Sequence, residues 1–123
     1  MPAHPTDEAR EERIMMEIVV DAYGPEEQAM GWYSYLEEKL QFPFTARCTA
    51  DRATSPLRVG DEIEVVDMAS AEVCEHEMFV MTRWGQDRTL AVPLAQLTGV
   101  NVDQETEQAI GDWHYWLAKG YEL

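Results

Sequence analysis

The run from Gly31 to Phe44 constrains the fold most, because it fixes where a helix must end and where a strand can begin. Apolar residues recur at helical spacing into its first half and form one stripe, made of Ala29, Trp32, Tyr33, Leu36 and Leu40. Pro43 then lacks an amide proton and biases Phe42 toward extended geometry. The pattern predicts that the helix ends near Leu40 or Gln41 and that a strand begins near Phe44.

The segment before this run predicts a first helix, so that two helices form a hairpin. Residues 7–22 place apolar side chains on one helical face. The β-branched run Ile18–Val20 lowers helix propensity and leaves a strand as an alternative. Gly24 and Pro25 suit the end of one helix and the first turn of the next. The second helix is therefore predicted from Pro25 to Leu40.

The middle of the chain predicts short antiparallel strands that are separated by tight turns. A strand begins at Phe44, and alternating apolar and polar residues indicate further strands over residues 61–68, 76–84 and 88–94. Pro93 marks the last of them as an edge strand or a strand end. The segment PLAQL that starts at this proline suggests a short 3₁₀ turn.

A C-terminal helix completes the predicted fold. Asp103 is a good N-cap, and Lys119 and Gly120 suit the other end of this helix. Helices at both ends of an antiparallel sheet give an α+β domain. We predict a small antiparallel SH3-like barrel or sheet, packed with an N-terminal helical hairpin and a C-terminal helix. Residues 7–123 form this single domain, and residues 1–6, with two prolines, are predicted to be disordered.

The charge balance narrows the classes of partner. With 24 acidic residues against nine lysines and arginines, the formal net charge is -15. Such a field disfavours nucleic acids and anionic membranes, and it favours cations or basic proteins. No apolar run approaches the roughly 20 residues that span a bilayer, and the polar N-terminus lacks the features of a secretion signal. We therefore expect a cytoplasmic monomer without nucleic-acid or membrane partners, in which Cys48 and Cys74 are reduced.

Two acidic side chains lie at the unfavourable end of the second predicted helix. Glu37 and Glu38 fall in its last turn, where a helix carries partial negative charge and exposed carbonyl oxygens. Acids beside carbonyl oxygens repel them unless a cation lies among them. Lys39 offers one source of neutralisation, and a bound metal ion offers another.

A second group of acids lies between Arg58 and Arg83, where no lysine or arginine occurs. Residues that are two apart on a strand point to the same face of the sheet. The candidate metal ligands in this group are two such pairs, Glu62 with Glu64 and Glu75 with Glu77. If these strands are neighbours, the carboxylates crowd together and a hard divalent cation relieves their repulsion. Calcium, with about 6–8 oxygen ligands, is suited to this. The alternative is a solvated acidic face. No EF-hand loop is present, so separate elements must supply any calcium site.

The sequence gives only weak signals for a zinc site or a catalytic site. Cys74 and His76 are two apart and could share a zinc ion, but no C-x-x-C pair accompanies them. No serine lies in a nucleophile-elbow motif, and no glycine-rich phosphate loop occurs. A zinc-dependent enzyme is therefore a third alternative.

The string GWYSYLEEKLQFPF resembles the CcbP-type calcium-binding protein family, which is named for a cyanobacterial protein. The likeness continues through SPLRVGDEIEVVDMA, CEHEMFV, LAVPLAQLTGV and DWHYWLAKGY, so that it runs from about Arg13 to Tyr121. The resemblance implies a small acidic bacterial protein that binds Ca²⁺ without EF-hands, buffers or senses cytoplasmic calcium, and is not an enzyme. It also implies that the acid at the end of the LEEKL helix, Glu38 here, belongs to the main calcium site.

Together these observations predict a calcium-binding α+β domain that acts by plain coordination at clustered surface carboxylates. The predicted ligands are Glu37, Glu38, Glu62, Glu64, Glu75 and Glu77. The alternative is an interaction module whose acidic face docks a basic partner protein without metal. Calcium binding in the presence of excess magnesium distinguishes the two hypotheses. A docking face would bind either ion only weakly, and added salt would screen that binding.

Overall fold

Helical segments at the N-terminus pack against each other as the predicted hairpin. The computed structural model describes residues 6–121 and 123; in it α1 spans Glu8–Arg13 and continues as a π-helical turn over Ile14–Ile18. Helix α2 spans Pro25–Lys39, within one residue of the predicted bounds. The strand alternative for the first segment is therefore wrong. The predicted disorder of residues 1–6 lies outside the described residues except at its last position.

Gly31 lets α2 approach the π-helical turn closely. A Cβ atom at this position would collide with the carbonyl oxygen of Ile18. Gly111 has a similar function, since a Cβ there would stand 3.0 Å from a guanidinium nitrogen of Arg10. Both glycines therefore permit close packing that a larger side chain would prevent.

We expect Gly31→Ala to lower the free energy of unfolding by about 1–2 kcal/mol. Overpacking costs about 1–3 kcal/mol, and we expect the upper part of this range because a backbone carbonyl relaxes less than a side chain. The higher helix propensity of alanine stabilises the variant by about 1 kcal/mol and offsets part of this cost. Urea denaturation measures the difference. Ser34→Ala is the matched control, because Ser34 is exposed on the same helix. Equal stabilisation by both alanines would contradict the steric explanation.

Five antiparallel strands form one sheet. They are β1 Phe44–Cys48, β2 Glu62–Met68, β3 Phe79–Trp84, β4 Arg88–Pro93 and β5 Leu97–Gly99, in the order β4-β3-β2-β1-β5. The predicted 3₁₀ turn is present over Leu94–Gln96 and joins the two edge strands, so the sheet must curl. Within residues 6–121, β4 does not pair with β5, and the sheet is open rather than a closed barrel.

Helix α3, Gln104–Ala118, covers the core between α2 and the sheet. Asp103 caps it as predicted, by accepting a hydrogen bond from the Thr106 amide. The ring centroids of Trp32 and Trp113 lie 5.0 Å apart at the centre of this core, and both side chains are fully buried. Of the helices in the described residues, none is long and apolar enough to cross a membrane. Cys48 and Cys74 are buried free thiols.

A buried carboxylate ties the helices together. Asp112 of α3 is fully buried and accepts hydrogen bonds from Arg13 Nη2 at 2.6 Å and from the Tyr35 hydroxyl at 2.7 Å. Arg10 Nε lies 2.8 Å from the same carboxylate. Burial, together with the hydrogen bond to Asp112, raises the pKa of Tyr35 and keeps it protonated. One side chain therefore connects α1, α2 and α3.

His114 should make stability depend on pH. Its Nε2 lies 3.4 Å from the Leu94 carbonyl oxygen, and burial lowers its pKa. Below about pH 6.5 the unfolded chain therefore binds a proton that the folded chain does not, and the free energy of unfolding falls as pH falls. Urea denaturation between about pH 7.5 and 6 measures this slope. We expect His114→Gln to flatten it and His76→Gln, at an exposed position, to leave it unchanged. Equal slopes in all three proteins would contradict the assignment.

Candidate metal site

The C-terminal end of α2 collects oxygen atoms with few cations. Glu37 and Glu38 are exposed in the last turn, as predicted, and the side chain of Glu38 is 76% exposed. The nearest cation to Glu38 is Lys39, whose Nζ lies 3.6 Å from the carboxylate. Among the described residues, no backbone amide donates to the carbonyl oxygens of Glu37, Glu38 or Lys39. Two carboxylates and these carbonyls are hard oxygen donors of the kind that calcium prefers.

Contacts on both sides hold this end of α2 in place. Leu40 ends the helix in an extended conformation, and its amide donates to the Leu36 carbonyl at 2.9 Å. The next amide, of Gln41, donates to the buried Thr106 hydroxyl at 3.0 Å. The helix end is therefore tied to the first turn of α3, which limits how far its carbonyl oxygens can move.

A carboxylate of β2 and one of α2 act electrostatically on the same tyrosine. The pKa of Tyr33 is raised, mainly by burial and then by the charges of Glu37, Cys74 and Asp67. Glu37 and Asp67 therefore both lie within electrostatic range of one hydroxyl, although they come from α2 and β2. Asp67 follows an irregularity in the β2–β3 pairing after Val65. It was not among the predicted ligands, because local sequence does not reveal such a break in register.

The predicted ligands on β2 are neutralised by arginines instead of a metal. Arg47 Nη2 lies 2.7 Å from the Glu62 carboxylate, and Arg83 Nε lies 2.7 Å from that of Glu64. Arg47 comes from β1, where it pairs directly with Glu62 across the sheet. Both pairs are about half exposed, so each contributes little stability. They nevertheless supply the positive charge that we predicted calcium to provide.

The other two predicted ligands, Glu75 and Glu77, lie in a loop and not on a strand. Strand β3 begins at Phe79, later than predicted, so the argument from strand parity is wrong for both. Glu77 forms a two-fold hydrogen-bonded pair with Arg52, with both distances 2.8 Å. Glu75 is exposed, and no ion pair reaches it within residues 6–121.

The four predicted strand acids do not form one cluster. Three of them are paired with three different arginines. Within residues 6–121 and 123, no three His, Cys, Asp or Glu side chains converge as a metal site would require. The prediction that four carboxylates crowd together is therefore wrong. That any one of these four acids binds calcium stays a prediction.

No finished metal site is present in the part of the chain that the structure describes. Within residues 6–121 and 123, no group of three or more His, Cys, Asp or Glu side chains converges in a way that could hold a metal ion. Cys74 and His76 do not form a zinc site in this structure either, since the thiol is buried and the imidazole is exposed. The α2 end fits calcium in donor type, with carbonyls and water completing a coordination shell of about 6–8 oxygens.

Comparison with known proteins identifies the family. A model of the CcbP family, described as calcium binding, matches residues 12–117. The chain belongs to the CcbP calcium-binding family. The resemblance drawn from GWYSYLEEKLQFPF and the later strings is thereby confirmed, and this family is described by calcium binding and not by a catalysed reaction.

Two solved structures are similar to this CcbP family member over 95% or more of their length. The crystal structure of Anabaena CcbP is 38% identical, with a TM-score of 0.88 and 100% of each chain covered. A structure described as a calcium binding protein in the calcium-binding form is 39% identical, with a TM-score of 0.84 and 95% of each chain covered. No curated protein matches the chain. The α+β fold of the CcbP family is therefore shared.

Proposed function

We propose that this protein binds calcium at the C-terminal end of α2 and thereby buffers or senses cytoplasmic calcium. The observation that carries the proposal is membership of a calcium-binding family over residues 12–117, supported by the 39% identical protein in its calcium-binding form. Residues 7–123 would act as one calcium-binding domain without enzymatic activity.

Electrostatics favours the α2 end over the strand acids as the site. Calcium at Glu62 or Glu64 would have to displace an arginine held at 2.7 Å. At Glu37 and Glu38 it would displace only water and the ammonium of Lys39, which lies 3.6 Å from the Glu38 carboxylate. The net charge of -15 raises the local concentration of cations at either place and does not discriminate between them.

The proposed coordination is therefore led by Glu37 and Glu38, with carbonyl oxygens of the last helical turn. Asp67 is a further proposed donor, because its charge, like that of Glu37, acts on the Tyr33 hydroxyl. Glu75, which is free of ion pairs within residues 6–121, is next in order. Glu62, Glu64 and Glu77 remain proposed ligands of lower rank, since arginines already occupy them.

Calcium should raise the melting temperature by roughly 5–10 °C at about 100 times its dissociation constant, and magnesium should not. A ligand that binds only the folded state adds about 2.7 kcal/mol at that concentration. Magnesium carries the same charge but prefers a smaller octahedral shell and releases its waters reluctantly. Scanning calorimetry with each ion at equal ionic strength is the measurement. Equal shifts with both ions would leave only general screening of an acidic surface.

A further inference from the structure

An apolar groove with an acidic rim runs along α2 where that helix faces the loop between β2 and β3. We call it the α2 groove, and its volume is about 460 Å³. Its floor includes Ala29, Met30 and Tyr33 of the helix and the buried Cys74 of the loop. Met30 is 52% exposed, which leaves a flexible apolar side chain in contact with water. The floor therefore suits an apolar side chain from another molecule.

The rim of the α2 groove is acidic on both sides. Glu26 borders it on the helix, and Glu72 and Glu75 border it on the loop. In the described chain, no lysine or arginine lines the groove, and His76 is its only imidazole. A ligand that fills the apolar floor must therefore pass between carboxylates, which favours one with positive charges on its outer side.

The apolar surface extends beyond this groove toward the start of α2. A second depression, also of about 460 Å³, shares Glu26 and Met30 with the first and adds Val20, which is 47% exposed. The two lie side by side on α2, with Glu26 and Met30 between them, and together they cover residues 25–33 of the helix, about 13 Å. A surface of this length matches a helical peptide of about two to three turns.

We propose that the α2 groove binds a basic amphipathic segment of a partner protein. Apolar side chains of that segment would cover Met30 and Tyr33, while its lysines and arginines would face Glu26, Glu72 and Glu75. Charge complementarity selects this occupant. A second copy of the chain carries the same net charge of -15 and the same acidic rim, and an anionic membrane surface is repelled for the same reason.

This inference goes beyond calcium binding and does not depend on it. The groove contains neither Glu37 nor Glu38, and it shares only Glu75 with the proposed calcium ligands. Peptide binding is therefore measured in the presence of a chelator and calcium binding in the absence of peptide. Failure of either experiment then leaves the other proposal standing.

The test uses a fluorescein-labelled synthetic peptide of leucine and lysine with its leucines on one helical face. Fluorescence anisotropy gives its dissociation constant for the full chain in chelator. We expect Met30→Gln to weaken binding about fivefold or more, and the double variant Glu72→Gln with Glu75→Gln to do the same. Matched controls are Met16→Gln and Glu12→Gln with Glu17→Gln, all at exposed positions that line neither depression. These controls should bind like the original chain.

Two further readouts keep the proposal falsifiable. Amide chemical shifts on peptide addition should change around residues 26–33 and 71–76, and a peptide with the same composition but no apolar face should bind much more weakly. Equal loss in Met30→Gln and Met16→Gln, or shifts spread over every acidic surface, would overturn the groove as the site. Self-association that Met30→Gln abolishes, or tight binding to anionic phosphatidylserine vesicles, would overturn the choice of occupant.

Discussion

Asp112→Asn should lower the free energy of unfolding by about 3 kcal/mol, the largest effect that we expect from any isosteric change in this chain. Removing one member of a buried ion pair costs about 3–5 kcal/mol, because the remaining charge stays desolvated without a partner. Here the side chains of Arg10 and Arg13 are 29% and 21% exposed, so water recovers part of that loss. The expected value therefore lies at the lower end of the range.

Urea denaturation of the variant and of a matched control measures the effect. Glu107→Gln removes one charge from the same helix at an exposed position and should change stability by less than about 0.5 kcal/mol. Tyr35→Phe provides a milder variant that removes only the 2.7 Å hydrogen bond to the carboxylate, and we expect a loss of about 1–2 kcal/mol. If Asp112→Asn and Glu107→Gln were equal in stability, the buried pair would not hold the helices together.

The helices were predictable because their signals are local. The bounds of α2 follow from Pro25 at its start and Pro43 just beyond its end, and the cap of α3 follows from Asp103. Each is set by residues within one turn of the helix terminus. The same locality placed Glu37 and Glu38 correctly at the end of α2.

The sheet was less predictable because pairing joins residues that are distant in sequence. β5 has three residues, Leu97–Gly99, too few for a periodic pattern, and it forms by pairing with β1. The break in register near Asp67 is likewise a property of two strands together. Parity arguments about Glu75 and Glu77 failed because the strand begins only at Phe79.

Counter-charges explain the rest of the difference. The acidic stretch contains no lysine or arginine between Arg58 and Arg83, yet three of its acids have arginine partners in space. Arg47 and Arg52 lie before the stretch and Arg83 at its end, and the fold brings each to a carboxylate. The ion pair between Arg13 and Asp112 spans 99 positions. Net charge along a sequence window therefore does not measure the field at a side chain.

The double variant Glu37→Gln with Glu38→Gln should weaken calcium binding by about 100-fold or more. Each carboxylate that binds a cation in a partly shielded site contributes about 1.5–3 kcal/mol, and about 1.4 kcal/mol corresponds to a tenfold change in affinity. Calorimetric titration with calcium in the presence of excess magnesium gives the dissociation constants. Glutamine keeps the size of the side chain, and both positions are exposed, so the fold should be unaffected.

The matched control is the double variant Glu62→Gln with Glu64→Gln on β2. It also removes two negative charges from exposed or half-exposed positions, so any effect of overall charge on calcium should be the same in both proteins. Because Arg47 and Arg83 already neutralise these two acids, we expect its calcium affinity to fall by less than about threefold. A larger loss in the β2 variant than in the α2 variant would transfer the site to the sheet. Equal small losses would mean that calcium is attracted only by the net charge.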